Sequence, residues 1–184
     1  MIGQRTLFQP DVNLPLRQRI HVETITLAEA RFVLENYHYL RRTRVGRQIN
    51  YSICIDGMID GVVTFAYPMI SSPLNGIPPD EIIEFARMYL YSNISHMASC
   101  AIGKVLRRIK GDWMYLFPNS KVPKMVVSWS DTIFHDGTIY KASNFQHYRR
   151  SKGRSHNNSI DSKRGMRDQH DDYRHDKDCW IYML

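Results

Sequence analysis

Apolar and polar residues alternate from Ile20 to Ile25 (IHVETI), which predicts a strand buried on one face. Thr26-Leu27-Ala28-Glu29 follows as a capping box: the threonine hydroxyl meets the Glu29 amide while the carboxylate reaches back. A helix through about Asn36 is predicted, with Ala28, Phe32 and Leu34 or Glu35 about one turn apart. Tyr51 to Asp56 and Met58 to Tyr67 are β-type runs flanking Asp56-Gly57, a pair that tolerates positive φ at both positions and so marks a hairpin. Pro68, Pro73, Gly76, Pro78 and Pro79 make residues 68–80 a loop. Glu81 to Tyr91 reads as a strand, although Glu84, Phe85 and Ala86 also suit a helix. Ser95 is placed to cap a helix to about Lys110, and Lys124 to Trp129 is a short buried strand. Thr138 to Phe145 supports one or two helical turns, and Cys179 to Leu184 is a closing strand. Tyr148 to Asp178 has almost nothing to bury and predicts a long polar loop or arm. The order β-α-β-β-β-α-β-α-β implies an α/β (α+β) fold, a mixed central sheet flanked by helices, in a single domain over 1–184.

Composition narrows the class. A chain of 184 residues and 21.7 kDa is the size of one globular unit, and 43% hydrophobic with 11% aromatic residues is enough for a core. The longest nearly apolar run, Val62 to Ile70, is nine residues and contains Thr64 and Pro68, too short for a membrane span. The start, MIGQRTLFQP, lacks the features of a secretory signal. Cys54, Cys100 and Cys179 are odd in number and in no CxxC spacing, which suggests reduced, mostly buried residues of a cytosolic protein.

Charge adds a partner. The net charge is +7, and it comes in blocks: +4 over residues 1–48, −4 over 49–103, +5 over 104–124, −1 over 125–148 and +3 over 149–184. Clustered positive charge favours a polyanion such as nucleic acid over a merely solubilising surface. Tyr37-His38-Tyr39-Leu40 precedes Arg41, Arg42, Arg44 and Arg47: rings that can stack on bases, an imidazole, and guanidinium groups that grip phosphates. The bland reading is two core tyrosines and a capping histidine. Lys104, Arg107 and Arg108 share a helical face, and Arg149, Arg150, Lys152 and Arg154 open the polar arm without an acid.

A second constellation runs from Ser128 through Asp131 and His135 to Tyr140, leaving a strand end, where open α/β sheets place ligands. Asp131 can orient a base, hold an amine, join His38 or His135 on a metal, or simply serve as a turn or cap. Arg87 is the one basic residue between Gln48 and Gly103. Inside an apolar strand it needs a partner, either Glu84 or Asp131, or a phosphate or acyl carbonyl. There is no GxSxG elbow, GxGxxG or GxxxxGK[ST] motif, and Cys179 with His175 is at most a weak metal pair.

Taken together, YHYL at 37–40, the hairpin at 51–67, EFARMYL at 84–90, SWSD at 128–131, HDGTIYKASNF at 135–145 and the closing WIYML resemble the phage Mom family. That family is known for modifying DNA adenine on a GNAT-like acyltransferase fold. The resemblance implies conversion of adenine N6 to a carbamoylmethyl (acetamido) derivative that shields phage DNA from restriction in the host cytoplasm. Carried over, the active-site candidates fall on His38, Arg87, Asp131 and Tyr140, with Tyr39 and Ser128 adjacent. The resemblance further implies an acyl donor such as acetyl-CoA and a transition metal such as iron, for which His38, Asp131 and His135 are the candidate ligands. Two features depart from the pattern: Asn93 to Cys100 (NISHMASC) has no glycine for a pyrophosphate loop, and Trp129-Ser130 stands where Tyr-Ala is expected. The expected roles put Asp131 against N6, Tyr140 as proton donor or positioning hydroxyl, His38 as base or metal ligand, and Arg87 on developing oxyanion charge. Double-stranded DNA is the expected partner, with Tyr37 and the basic residues named above as its contacts and no membrane involved. The competing classes are a non-catalytic phage DNA-binding accessory protein and an acyltransferase acting on another amine, using a small-molecule or aminoacyl-tRNA donor.

Overall fold

The computed structural model describes residues 14–153 and 175–184. A four-residue helix, α1 (Leu16–Arg19), leads into β1 (Ile20–Ile25), which is followed by α2 (Leu27–Tyr37), β2 (Gln48–Ile55), β3 (Met58–Ala66) and β4 (Ile82–Leu90). Then come α3 (Met97–Leu106), α4 (Ile109–Leu116), β5 (Met125–Asp131), α5 (Thr138–Ala142), β6 (Gln146–Ser151) and β7 (Lys177–Met183). The strands form one sheet in the order β1-β2-β3-β4-β5-β7-β6. Every pairing is antiparallel except β4 with β5.

Local chemistry explains the first elements. The capping box at Thr26 is present: the Glu29 amide donates to Thr26 Oγ1 at 3.3 Å and the Thr26 amide to Glu29 Oε2 at 2.8 Å. The buried stripe of α2 is Ala30, Val33 and Leu34, not the spacing through Phe32, which faces solvent. At the hairpin, Asp56 (φ 52°) and Gly57 (φ 80°) occupy the two turn positions, as the twist of the flanking strands requires.

Adjacent residues of a strand face opposite sides, so Val62 and Val63 divide the core. Val62 packs with Val33 and Leu34 of α2, whereas Val63 joins the main cluster with Ile83, Phe85, Ala101, Ile102, Ile109 and Trp113. Hence α2 covers one face of the sheet and α3 and α4 cover the other. The 68–78 loop turns back through the Leu74 and Ile77 bridge and lays Leu74 on Ile82, Met125 and Val127, beside the face covered by α2.

Three expectations change. The helix expected from Ser95 to Lys110 is two helices, and its N-cap is His96 in the left-handed region (φ 63°) with no side-chain cap. The break falls at Arg108, whose exposed side chain donates to Val22 O at 3.0 Å and to Asp112 Oδ2 at 2.6 Å. The polar arm does not begin at Tyr148, because residues 146–151 form β6 against β7, held by Arg150 and Asp178 through two hydrogen bonds of 2.8 and 2.9 Å. An exposed edge strand carries no apolar alternation, so its sequence reads as loop. Of the cysteines only Cys179 is buried; Cys54 and Cys100 are partly exposed. No helix among the described residues is long and apolar enough to cross a membrane.

Gly137 caps α5 at φ 81°, and a Cβ there would lie 2.2 Å from Trp180 Cζ2. Gly137→Ala therefore combines left-handed strain with a clash against a ring that cannot yield, costing ~2 kcal/mol or more. The expected drop in Tm is roughly 4–8 °C by thermal melting.

Candidate active site in the split of the sheet

β4 and β5 pair over only three positions, Ile82 with Met125, Ile83 with Val126 and Glu84 with Val127. Beyond them β4 runs on to Leu90 and β5 to Asp131 without pairing to each other. A bulge contributes to the divergence: Thr64 opposes Arg87 and Phe65 opposes Phe85, leaving Ala86 without a partner on β3. The split opens a cleft of about 810 Å³. His38, Tyr39, Arg87, Ser128, Asp131 and Tyr140 all line it, together with His135 and His175.

Asp131 ends β5 and is 2% exposed. Its Oδ1 accepts the Ile133 amide at 3.0 Å, and its Oδ2 lies 2.9 Å from His175 Nδ1. It is thus a turn residue and a histidine partner together. The 131–135 segment folds as a turn, with the His135 amide donating to Asp131 O at 3.0 Å. Burial depresses the His135 imidazole below its usual range against the pull of Asp131 and Asp136.

His38 is buried where α2 ends, its Nδ1 accepting the Leu40 amide at 3.1 Å. Its ring stacks on Tyr39 with centroids 4.5 Å apart, and Tyr39 in turn leans on Phe134 (5.4 Å) and His135 (6.0 Å). A half-exposed aromatic wall results.

Arg87 pairs with neither expected carboxylate. Asp131 is held by His175, and Glu84 is taken by Arg44. The Arg87 Nη1 donates to Ala86 O at 2.6 Å, while its Nε is buried without a hydrogen-bond partner. Burial lowers its pKa most, and repulsion from Arg44 adds to this, opposed by Glu84. A buried guanidinium with an unmet N–H is a ready hydrogen-bond donor to an oxygen that carries negative charge.

Tyr140 reaches the split from α5, on the opposite face, and stacks on Trp180 with centroids 5.2 Å apart and planes 6° from parallel. Its hydroxyl lies 3.1 Å from Ser128 Oγ, which also lies 2.8 Å from Phe85 O. A carbonyl only accepts, so the single Ser128 proton goes to Phe85 and a neutral Tyr140 donates to Ser128. Burial pushes the Tyr140 phenol up to about 12, although Ser128 can turn its proton toward a phenolate and pull the other way.

The implied cofactors can be tested against these residues. Among the described residues no group of three or more His, Cys, Asp or Glu is arranged to hold a metal ion. His38 Nδ1 and both Asp131 oxygens are already engaged by protein groups. A coenzyme A pyrophosphate fits poorly as well: residues 91–100 supply no glycine, lysine or arginine, and Asp60 puts a carboxylate on Ser92 there.

The expected DNA contacts are dispersed. Tyr37 stacks with Tyr89 (5.7 Å) and meets Tyr91 edge-on (5.2 Å) on the α2 face. Arg41 takes a left-handed turn (φ 44°) just after α2. Arg42 and Arg44 line the cleft and, with Arg47 and Lys121, an adjoining cavity of about 1120 Å³; Arg47 also lies over Phe117 at 6.0 Å. Lys104, Arg107 and Arg108 sit at α3 and its junction with α4, across the sheet from α2, and Arg108 is spent on Asp112. Arg149 lies over Tyr148 at 5.8 Å, Arg150 is bound to Asp178, and Lys152 lines the cleft. Arg154 lies outside the described residues. The residue that sequence reasoning missed is His175, 44 positions from Asp131 with no local signal linking them.

Asp178 is held down to about 2, chiefly by the hydrogen bonds from Arg150 with His147 adding to them, against the opposing effect of burial. A depressed folded-state pKa stabilises above the ordinary aspartate range near ~3.9 and is lost as pH falls toward ~2. Asp178→Asn is expected to flatten the fall of Tm between about pH 4 and pH 2 relative to the parent, as read by melting at each pH.

No curated protein matches the sequence. Among solved structures, the chain is similar to RimL, a ribosomal-protein alpha-N-acetyltransferase in complex with coenzyme A, at 11% identity and TM-score 0.56, over 92% of this chain and 97% of that one. It is also similar to NAA60 of Arabidopsis thaliana in complex with acetyl-CoA, at 12% identity and TM-score 0.53, over 90% and 98%. A GNAT-family protein from Desulfovibrio desulfuricans, described as a putative acetyltransferase, matches at 10% identity and TM-score 0.52, over 89% and 98%. The likeness establishes the GNAT acetyltransferase fold that the family resemblance implied. Sequence matching reaches further than fold alone, covering residues 19–182, from the last residue of α1 into β7 and through every strand that builds the cleft: the chain belongs to the Mom protein family.

Proposed function

We propose that this protein is a transferase that modifies the N6 amine of adenine in double-stranded DNA. The product is the carbamoylmethyl (acetamido) derivative, which protects phage DNA from restriction in the host cytoplasm. The observation that carries the reading is the convergence on one cleft of His38, Arg87, Asp131 and Tyr140, from four separate stretches of a chain in the Mom family.

Adenine N6 in a duplex is hidden by pairing and stacking, so the base must be extruded at a cost of a few kcal/mol. Tyr39, half exposed and backed by Phe134, offers a wall for the extruded ring. The N6 nitrogen attacks the methylene carbon, next to the carboxamide carbonyl, of an activated carbamoylmethyl donor. The N6–C bond forms as the bond from that carbon to the leaving group breaks. Arg87 faces the charge that gathers on the donor oxygen. Tyr140, a neutral acid with its pKa pushed up to about 12, hands a proton to the leaving group. The proton lost from N6 passes to a base in the cleft.

Nucleosides from DNA of cells expressing the protein, analysed by mass spectrometry, should contain a deoxyadenosine enlarged by two carbons and a carboxamide nitrogen. Unaltered deoxyadenosine would sink the reading. Tyr140→Phe, which keeps the stack on Trp180, is expected to reduce modification by ~10²-fold or more. For DNA affinity, Arg149→Ala with Lys152→Ala should lower the slope of log K against log salt by up to ~1.8. Arg150→Ala should leave it almost unchanged, because Asp178 already neutralises that guanidinium.

A further inference from the structure

Two histidines in the cleft are pinned at the same ring nitrogen by groups of opposite character. His38 Nδ1 receives the Leu40 backbone N–H at 3.1 Å. An amide only donates, so this nitrogen holds a lone pair and the proton of the neutral ring sits on Nε2. His175 Nδ1 lies 2.9 Å from Asp131 Oδ2, and the other Asp131 oxygen already accepts the Ile133 amide. A carboxylate only accepts, so Nδ1 of His175 carries the proton and Nε2 of the neutral ring keeps its lone pair.

We infer that His175 is the general base of the cleft, oriented by Asp131, and that His38 acts there as a hydrogen-bond donor. The inference rests on the proposed transfer to adenine N6 and assigns the proton that leaves that amine. As the N6–C bond forms, the N6 proton moves to His175 Nε2, and the resulting imidazolium is stabilised by the carboxylate at its other nitrogen.

Alternative bases in the cleft are less suited. Asp131 is 2% exposed with both oxygens occupied, so it acts through the ring it holds and is a positioning residue. His135 lines the cleft, but no side-chain hydrogen bond among the described residues fixes its tautomer. His38 presents a proton where a base needs a lone pair. His175 has 24% of its side chain exposed, lines the cleft, and makes an edge contact with Phe134 at 6.1 Å, beside the aromatic wall. Its Nε2, on the far side of the ring from Asp131, has no partner among the described residues.

Two measurements on the full chain test this. In long-range 1H–15N spectra of histidine-labelled protein near neutral pH, assigned with His175→Gln and His38→Gln, His175 should show a protonated Nδ1 and an unprotonated Nε2. His38 should show the reverse. A His175 protonated at Nε2, alone or as the cation, overturns the inference whether or not DNA is modified. In cells, His175→Gln is expected to lower the modified nucleoside by ~10²-fold or more with Tm and DNA affinity near the parent values. His38→Gln, which retains an N–H donor in place of Nε2, should keep more of the modification than His175→Gln. Parent-level modification by His175→Gln overturns the inference and leaves the proposed function standing. Absence of the modified nucleoside from the parent protein removes both.

Discussion

The cleft exists because two neighbouring parallel strands stop bonding while both are still strands. Three paired positions weld β4 to β5, and then the Ala86 bulge and the twist of the sheet carry them apart. The backbone groups of β4 and β5 that face each other past that point need other partners, and side chains of the site supply some of them. Ser128 reaches across to Phe85 O and Arg87 bends back onto Ala86 O, while β7 pairs the other edge of β5 along its whole length. The split is also a window: Tyr140 comes from the helix on one face while His38 and Tyr39 come from the end of α2 on the other.

Charge in this window is arranged so that Arg87 stays without a carboxylate partner. Glu84 and Arg44 form a pair at the cleft wall, with only 9% and 15% of their side chains exposed. Breaking such a buried pair costs ~3–5 kcal/mol, so Glu84 is not available to relax toward Arg87. Arg87 therefore keeps a buried N–H without an acceptor, a cost of ~1–3 kcal/mol that the fold tolerates and that an anionic oxygen in the cleft would relieve.

On the other wall, the end of β5 is folded back on itself. Asp131 accepts from its own turn and from His175, so a single buried carboxylate shapes the 131–135 turn and anchors the start of β7's approach to the site. β6 and β7 are joined a second time by Asp178 with Arg150 and His147. These two contacts bring both ends of the long polar segment to the mouth of the cleft, where Lys152 and Lys177 line it.

Local rules were enough for much of this. The Thr26 capping box, the Asp56-Gly57 hairpin, the proline-rich loop and the closing strand are decided by neighbours in sequence, and the chain spelled them out. The candidate set of His38, Arg87, Asp131 and Tyr140 came from the family resemblance, and the fold brings the four to one cleft. The sequence did not reveal β6, because an edge strand exposed to solvent has no hydrophobic period. Nor did it show that α3 and α4 are separate helices, since the contacts of Arg108 at their junction, with Tyr51 and Val22 O, come from strands far away in the chain. The partners of buried charges were likewise beyond its reach: Glu84 chose Arg44 over Arg87, 40 residues away, and Asp131 chose His175, 44 residues away. Local propensity and period act over a few residues and are written in order along the chain. The pairing of a buried ion is settled by whichever opposite group the finished sheet brings within reach, and only the tertiary structure decides that.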